Sequence, residues 1–213
     1  MKPVVQVALD VVELERAVEI ARQAVRGGVE WVEAGTPLIK AAGLEAVRRL
    51  RREFPKNTLV ADMKTMDAGA LEAEMAAEAG ADVVCVLGAA ADATISEAVA
   101  AARRKGARVL VDLLAVPDPR ARAKRAEQLG ASYICVHVGI DQQKLGMDPL
   151  EQLRAIAGAV EVPIAVAGGI TAETAPALVE GGASIIIVGS AITRAKDVEL
   201  AAREIVKAIS GSR

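Results

Sequence analysis

Residues 83–87 read Val-Val-Cys-Val-Leu, and every one of them is apolar. A strand with one face in water alternates apolar and polar residues, so this run indicates a strand that is covered on both faces, as in a parallel sheet. Seven further short apolar runs occur along the chain, and the runs start about 22 to 30 residues apart. The eight predicted strands are residues 4–9, 31–33, 58–63, 83–87, 108–113, 133–137, 163–167 and 185–188.

The stretches between these runs have the period of a helix. In the first of them, Leu14, Val18, Ala21 and Val25 lie three or four positions apart, with charged residues between them. Residues 91–105, 118–129, 149–160 and 195–209 have a similar pattern. Several of the helical stretches are followed by glycine, which commonly ends a helix.

Strand and helix alternate through the whole chain, which makes this an α/β protein. Eight such units with right-handed crossovers close naturally into a barrel, so we predict a single-domain (β/α)8 TIM barrel over residues 1–213. The main alternative is a doubly wound open sheet, which usually has fewer strands and a glycine-rich loop after the first one. Here Asp10, Val11 and Val12 follow the first strand without a glycine.

The composition argues against several classes of protein. Apolar residues make up 53% of the chain, which excludes intrinsic disorder. Only Trp31, Phe54 and Tyr133 are aromatic, so base stacking on aromatic side chains is not expected. The 26 basic and 28 acidic residues nearly balance, which gives no strong field to attract nucleic acid or an anionic membrane. We therefore expect no nucleic-acid or membrane partner.

The two cysteines bear on the compartment. Cys85 and Cys135 each lie inside an apolar run and have no Cys-x-x-Cys spacing, so we expect two buried thiols in a cytoplasmic protein. A disulfide or a metal pair is the alternative. The first residues show no charged region followed by a long apolar stretch, so we expect no signal peptide.

Polar residues stand where five of the predicted strands end. In a barrel of this kind the reactive groups gather at the carboxyl ends of the strands. A single polar residue at a strand end is often only a helix cap. Four acids, a lysine and the only histidine of the chain together favour a reactive site. The residues are Asp10, Glu33, Asp62, Lys64, Asp112 and His137.

The densest group is residues 62–67, which read Asp-Met-Lys-Thr-Met-Asp. Asp62 and Lys64 point the same way in an extended chain, so each would keep the other charged. Asp67 lies just beyond, in the turn before the next helix. An ordinary ion pair followed by a capping aspartate is the alternative. Glu33 and Asp62 end neighbouring strands, and two adjacent carboxylates suit Mg²⁺, unless Asp62 is taken up by Lys64.

The remaining candidates are His137 and two glycine-bearing turns. His137 could move protons near neutral pH, although a lone histidine is often only a hydrogen-bonded core residue. Gly168 and Gly169 follow the seventh strand, and Gly189 and Ser190 follow the eighth. Barrels that bind phosphate commonly do so there, and tight turns are the alternative. The chain has no Walker loop and no dinucleotide fingerprint.

Six motifs together resemble the 3-hexulose-6-phosphate synthase family of the orotidine 5′-phosphate decarboxylase suprafamily. They are VALD at 7–10, EAGTPLI at 33–39, ADMKTMDAG at 61–69, VHVGIDQQ at 136–143, VAGGI at 166–170 and VGSAIT at 188–193. The resemblance runs from the first strand to the eighth. The pattern Asp-x-Lys-x-x-Asp marks only the suprafamily, whereas the longer strings at 62–69 and 136–143 favour the synthases.

The resemblance implies a homodimeric, Mg²⁺-dependent barrel, with Mn²⁺ a plausible substitute. Such an enzyme joins formaldehyde to the sugar phosphate D-ribulose 5-phosphate in a reversible aldol reaction, which makes it an aldehyde-lyase. Carried over by motif, Glu33 and Asp62 would hold the metal. Lys64 would lie beside the enediolate, and Asp67 would reach into the site of the partner subunit.

The same resemblance implies roles for the other strand-end residues. Asp10 and Asp112 would orient substrate hydroxyls or Lys64, and His137 would move protons. The residues implied to hold the phosphate are Gly168, Gly169, Gly189 and Ser190. Relatives often carry glycine or arginine in place of Ser190, and Arg194 could supply the missing positive charge.

Three other functions stay open. The related decarboxylase of 3-keto-L-gulonate 6-phosphate shares the enediolate, but it carries an arginine shortly after its histidine. Here Val138, Gly139 and Ile140 follow His137, which disfavours decarboxylation. A pentose phosphate epimerase needs an acid and a base on opposite faces of one carbon, and no such pair is located. A non-catalytic barrel that binds a sugar phosphate is the third alternative.

Overall fold

The computed structural model of the protein describes residues 2–211, which form a closed barrel of eight parallel strands surrounded by helices. The strands follow one another around the barrel in chain order, and the eighth pairs with the first. They are β1 (Val4–Leu9), β2 (Trp31–Ala34), β3 (Thr58–Thr65), β4 (Val83–Leu87), β5 (Arg108–Asp112), β6 (Tyr133–His137), β7 (Ile164–Ala167) and β8 (Ala183–Val188). The predicted (β/α)8 fold is confirmed, and the open sheet is excluded because the barrel closes. Of the predicted domain 1–213, Met1, Ser212 and Arg213 lie outside the described residues.

Every connection between consecutive strands contains at least one helix. The helices are α1 (Leu14–Arg26), α2 (Thr36–Ala42), α3 (Glu45–Glu53), α4 (Gly69–Glu78), α5 (Asp92–Arg104), α6 (Pro119–Gln128), α7 (Ile140–Lys144), α8 (Pro149–Ile156), α9 (Ala175–Glu180), α10 (Ser190–Thr193) and α11 (Val198–Ser210). The prediction of a helix over 149–160 is too long, because Gly158 has a φ of +70° just after α8 ends. Within residues 2–211, no helix combines the length and the apolar character needed to cross a membrane.

The buried apolar residues form two clusters, one on each face of the barrel wall. Val5, Val7 and Leu9 of β1 belong to the larger cluster, which also contains buried residues of the helices. Val4 and Ala8 of the same strand belong to the smaller cluster, made of strand residues alone. Successive side chains of a strand point to opposite faces, so one cluster lies outside the barrel wall and the other inside it. This explains why the strand runs carry apolar residues without alternation.

The barrel interior changes in character from one end to the other. At the amino-terminal end of the strands, the rings of Trp31 and Tyr133 meet edge to face, with their centres 5.4 Å apart. Cys85 and Cys135 lie in the same inner cluster as free, buried thiols, as predicted, and their burial raises the pKa of both. Towards the carboxyl ends of the strands the inner residues become polar, and this end is the mouth of the barrel.

Candidate active site

Lys64 connects polar residues from three strands at the mouth of the barrel. Its Nζ lies 2.7 Å from Oδ2 of Asp62 and 3.4 Å from Oδ2 of Asp112. The same oxygen of Asp112 lies 2.8 Å from Nδ1 of His137. Four of the predicted site residues therefore form one hydrogen-bonded chain, Asp62–Lys64–Asp112–His137, which runs from β3 to β6.

An irregularity in β3 positions Asp62 and Lys64. Ala61 pairs with Val84 and Thr65 pairs with Val86, so four steps along β3 oppose only two steps along β4. Such a bulge re-aims side chains and is common beside active sites. Lys64 within it has a φ of +46°, a left-handed conformation that costs a residue with a side chain about 1–3 kcal/mol. The prediction that the two side chains meet is confirmed, but the extended backbone on which it rests is wrong at Lys64.

Lys64 is held in its charged form by its neighbours. Burial alone would lower the pKa of this amine. The charges of Asp62 and Asp112, together with the hydrogen bond to Asp62, outweigh burial and hold the pKa well above its ordinary value. Lys64 is therefore an ammonium ion at neutral pH, which can donate hydrogen bonds and neutralise negative charge but cannot act as a nucleophile.

Asp112 is almost fully buried and holds His137 by one ring nitrogen. Burial alone would raise the pKa of this carboxyl, but the hydrogen bond with His137 and the charges of His137 and Lys64 lower it below its ordinary value. The other carboxylate oxygen of Asp112 accepts a hydrogen bond from the backbone N–H of Leu114 at 2.9 Å. A carboxylate bound at Nδ1 favours the ring form with hydrogen on that nitrogen, which leaves Nε2 to exchange a proton with a substrate.

Glu33 is a buried acid that makes no ion pair within residues 2–211. Its pKa is raised well above the usual value, first by burial and then by the charges of Asp62 and Asp10. Gln6, which is completely buried in β1, donates a hydrogen bond from Nε2 to Oε2 of Glu33. Negative charge at Glu33 therefore needs a compensating positive group.

The two carboxylate oxygens of Asp62 differ in their hydrogen bonds within the described residues. Its Oδ2 accepts hydrogen bonds from Nζ of Lys64 at 2.7 Å and from Oγ1 of Thr36 at 2.8 Å. Its Oδ1 is buried and has no hydrogen-bond partner among residues 2–211. An ionised oxygen buried without a partner is costly, and a bound cation would satisfy it.

The residues present fit a divalent cation at Glu33 and Asp62. In the described part of the chain no three His, Cys, Asp or Glu side chains are grouped to hold a metal ion. In enzymes that act on phosphorylated substrates, Mg²⁺ is commonly coordinated by one or two carboxylates, and water and substrate fill the remaining coordination positions. The unsatisfied Oδ1 of Asp62 and the raised pKa of Glu33 both indicate where positive charge is missing.

Asp10 lies between the ends of β2 and β8. A Cβ placed on Gly35 would come within 2.4 Å of Oδ1 of Asp10, and one on Gly189 would lie 3.6 Å from Oδ2. The residue as a whole is exposed, but its carboxylate is partly enclosed, and this burial together with the charge of Asp62 raises its pKa. Gly35 is therefore required, because any side chain there would displace Asp10.

Asp67 stands apart from the hydrogen-bonded chain. It is exposed, and its Oδ1 accepts a hydrogen bond from the backbone N–H of Ala68 at 2.8 Å. Within the described residues it makes no ion pair with Lys64. Ala68 has a φ of +52°, so the loop turns sharply here and presents Met66 and Asp67 to the outside of the subunit.

The two glycine-bearing turns follow β7 and β8, which are neighbours in the barrel. Gly168 and Gly169 have φ angles of +121° and +64°, and a Cβ on Gly168 would come within 2.4 Å of the carbonyl oxygen of Val138. Gly189 comes directly before α10, and Ser190 begins it. Arg194 follows α10 and is exposed. Phosphate binding by these residues stays a prediction.

Two residues that contact the predicted site were not among the candidates. Gln6 contacts Glu33, and Thr36 contacts Asp62. Gln6 has a local signal, because it is the only polar residue in the run 4–9. Thr36 has none, because its contact depends on how α2 is seated against β3.

The comparison with known families agrees with the motifs. The model of the orotidine 5′-phosphate decarboxylase / HUMPS family matches residues 3–205. The chain belongs to this family. Among its members, the 3-hexulose-6-phosphate synthase of Mycobacterium gastri is 44% identical over 206 residues, which cover 96% of this chain and 99% of that protein.

Solved structures of the family have the same fold. The crystal structure of 3-hexulose-6-phosphate synthase from Salmonella typhimurium is 36% identical, with a TM-score of 0.94, and the match covers 99% of this chain and 100% of that one. The 3-keto-L-gulonate-6-phosphate decarboxylase from Vibrio cholerae is 31% identical, with a TM-score of 0.84 and full coverage of both chains. The decarboxylase is thus the more distant of the two.

Proposed function

We propose that the protein is an aldolase that joins formaldehyde to D-ribulose 5-phosphate and gives D-arabino-hex-3-ulose 6-phosphate in a reversible reaction. The observation that carries this proposal is the chain Asp62–Lys64–Asp112–His137 beside the buried Glu33. These hydrogen bonds connect a fixed ammonium group to an imidazole whose Nε2 makes no hydrogen bond within residues 2–211. Carbanion chemistry next to a carbonyl requires both kinds of group. The similarity to proteins named 3-hexulose-6-phosphate synthase supports the same reaction.

His137 is the group that moves the proton. Its Nε2 takes a proton from C1 of the ketose, and the C–H electron pair forms the C1–C2 double bond while the carbonyl electrons move to the C2 oxygen. The resulting enediolate attacks the carbon of formaldehyde through C1. The formaldehyde oxygen then takes the proton back from His137, so that the enzyme is restored.

Lys64 and Asp112 support this transfer from either side. The ammonium of Lys64 stabilises the negative oxygen of the enediolate, and it keeps its charge because Asp62 and Asp112 flank it. Asp112 keeps the His137 ring in one orientation through Nδ1. When Nε2 accepts the proton from the substrate, the imidazole ring becomes positively charged, and the buried carboxylate of Asp112 stabilises that charge.

Glu33 and Asp62 would hold Mg²⁺, with Mn²⁺ as a substitute. When bound, the cation would supply Lewis-acid polarisation of the substrate oxygens. Removal of metal by a chelator should abolish turnover, and Mg²⁺ should restore it. Full activity in a metal-stripped sample would exclude this part of the proposal.

The phosphate of the substrate would bind at Gly168, Gly169, Gly189 and Ser190. Glycines allow phosphate oxygens to approach backbone N–H groups closely, and the two turns lie side by side at the mouth. Binding of a phosphate away from the reacting carbon orients that carbon towards His137. We also place the enzyme in the cytoplasm, which is supported by its two free thiols.

Two assays on the same preparation separate the candidate functions. One measures formaldehyde consumption with D-ribulose 5-phosphate, and the other measures CO₂ release from 3-keto-L-gulonate 6-phosphate. The aldolase proposal expects much the higher kcat/KM in the first assay, since no arginine follows His137 at 138–140. A higher value in the second assay would make the protein a decarboxylase. Binding of ribulose 5-phosphate without turnover in either assay would make it a sugar-phosphate-binding barrel.

A homodimer with shared sites is supported by exposed groups at the mouth. Met66, Leu71 and Met75 are 53%, 61% and 43% exposed, although they are large and apolar, and they lie in or just after the loop that carries Asp67. A second copy would cover them and would bring Asp67 to the neighbouring site. The two subunits of a symmetric dimer would then each lend one aspartate to the other.

Complementation tests this arrangement. Asp67→Asn and Glu33→Gln should each be nearly inactive alone. After subunit exchange between equal amounts, half of the dimers are mixed, and each mixed dimer has one site with native Glu33 and native Asp67. About a quarter of all sites should therefore work, by two-fold symmetry. No recovery, with exchange confirmed by mass spectrometry, would show that Asp67 serves its own subunit.

A further inference from the structure

Two neutral side chains hold the carboxylates of Glu33 and Asp62. We infer that Gln6 and Thr36 are positioning residues, each of which takes up one carboxylate oxygen and thereby reserves the other oxygen for a divalent cation. This inference rests on the cation site of the proposed function. It concerns how the chain prepares that site before any cation or substrate arrives.

The hydroxyl of Thr36 contacts only one of the two carboxylate oxygens of Asp62 within the described residues. Its Oγ1 lies 2.8 Å from Oδ2 of Asp62 and 2.8 Å from the backbone carbonyl oxygen of the same residue. Lys64 binds this Oδ2 as well, so the carboxylate cannot rotate without losing both contacts. The oxygen that remains is Oδ1, which is buried and unpartnered within the described chain. Thr36 thus fixes which oxygen of Asp62 is available.

Gln6 makes the matching contact with Glu33. Its Nε2 donates a hydrogen bond to Oε2, which leaves Oε1 of the same carboxylate. Gln6 is fully buried, and its own Oε1 has no partner within residues 2–211. A buried amide with an unsatisfied oxygen is unfavourable for folding, and an apolar residue would fill this position at lower cost. The presence of glutamine is therefore explained by Glu33 rather than by packing.

The hydrogen bonds of Gln6 with Glu33 and of Thr36 with Asp62 resemble those by which proteins orient metal ligands. A hydrogen bond to one ligand atom fixes the orientation of the other, and loss of such an outer contact usually weakens metal binding about 10- to 100-fold. Neither Gln6 nor Thr36 carries a charge, so each can hold a carboxylate oxygen without neutralising it. Lys64, in contrast, is an ion-pair partner whose charge opposes that of a cation.

The test measures Mn²⁺ binding to the substrate-free protein, by the electron paramagnetic resonance signal of free Mn²⁺. Thr36→Val removes the hydroxyl and keeps the shape, and Thr36→Ser keeps the hydroxyl. Gln6→Met removes the amide and keeps the length. We expect the Kd for Mn²⁺ to rise about tenfold or more in Thr36→Val and Gln6→Met, and to stay within about threefold of wild type in Thr36→Ser.

Val4→Ala is the control for packing, because Val4 lies two residues before Gln6 in the same strand and also belongs to the inner cluster. It should lower Tm and leave the Kd unchanged. If Thr36→Val does not fold, Gln6→Met provides the same test from β1, away from α2, which begins at Thr36. If folded Thr36→Val and Gln6→Met bind Mn²⁺ with the wild-type Kd, the inference about Gln6 and Thr36 is overturned, and the metal site itself is not affected. Absence of Mn²⁺ binding in the wild type would overturn it together with the metal site, whereas the formaldehyde assay would still decide the aldolase function.

Discussion

Asp112→Asn is the change that most directly tests the hydrogen-bonded chain at the mouth. The Asp112 side chain is 5% exposed, and one of its oxygens contacts both His137, at 2.8 Å, and Lys64, at 3.4 Å. Asparagine has the same shape but no charge. Its NH₂ group can donate to Nδ1 of His137, which would move the ring hydrogen to Nε2, the nitrogen that must accept the substrate proton.

The expected loss follows from these two contacts. A hydrogen bond to a charged partner contributes about 1.5–3 kcal/mol, and each 1.4 kcal/mol in the barrier is a factor of about ten in rate. The contact with His137 is short and buried and should supply most of the effect. The contact with Lys64 is longer, and Asp62 still holds that lysine. We therefore expect kcat to fall about 100-fold and KM to change by less than about threefold.

The assay is steady-state formaldehyde consumption with ribulose 5-phosphate, with the fold checked by circular dichroism. Asp82→Asn is the matched control, since it removes an aspartate charge that pairs with Arg51, just before β4 and at the opposite end of the barrel. The control should keep its kcat even if its Tm falls. A kcat within about threefold of wild type in a folded Asp112→Asn variant would refute the role given to Asp112.

Three further predictions concern the same group of residues. His137→Asn should lower kcat by about 10² or more with a smaller change in substrate binding, and a near-normal kcat would leave the histidine a structural role only. Glu33→Gln should be inactive yet more stable than wild type without metal. Because the pKa of Glu33 is raised in the folded state, the wild type loses stability as the pH rises above about 4.3, the usual pKa of this acid. Glutamine does not titrate. The difference in the free energy of unfolding in urea between the two proteins should therefore be wider at pH 8 than at pH 5. An equal gap at both pH values would contradict this explanation. Treatment with sodium borohydride and ribulose 5-phosphate should leave no adduct on Lys64, because its ammonium form cannot make a Schiff base. A mass increase on Lys64 would contradict its assignment as a fixed ammonium group.

The strands could be predicted because the barrel wall is buried on both faces. The apolar runs at 4–9, 83–87 and 133–137 match β1, β4 and β6 residue for residue. Such a run can be recognised as a strand from its own residues, without knowing which strands lie beside it. The placement of polar residues at the strand ends follows in the same way, since all parallel strands end at one mouth.

The geometry of the site could not be predicted to the same extent. The strand predicted at 58–63 continues as β3 to Thr65, because the bulge opposite β4 carries the chain on through a left-handed Lys64. A bulge depends on the partner strand, and lysine has no local preference for that conformation. The contact of Gln6 with Glu33 joins residues 27 positions apart, so it exists only once β1 and β2 are paired.

Trp31 gives this protein a built-in optical probe. It is the only tryptophan in the chain, it is 7% exposed, and it packs against Tyr133 at the end of the barrel opposite the mouth. It also lies two residues before Glu33 in β2. Its emission spectrum should therefore report whether the floor of the barrel is intact, without a label and at micromolar concentration. A variant at the mouth that loses turnover but keeps the wild-type emission maximum has lost chemistry, whereas a red-shifted maximum marks a barrel that has opened to water.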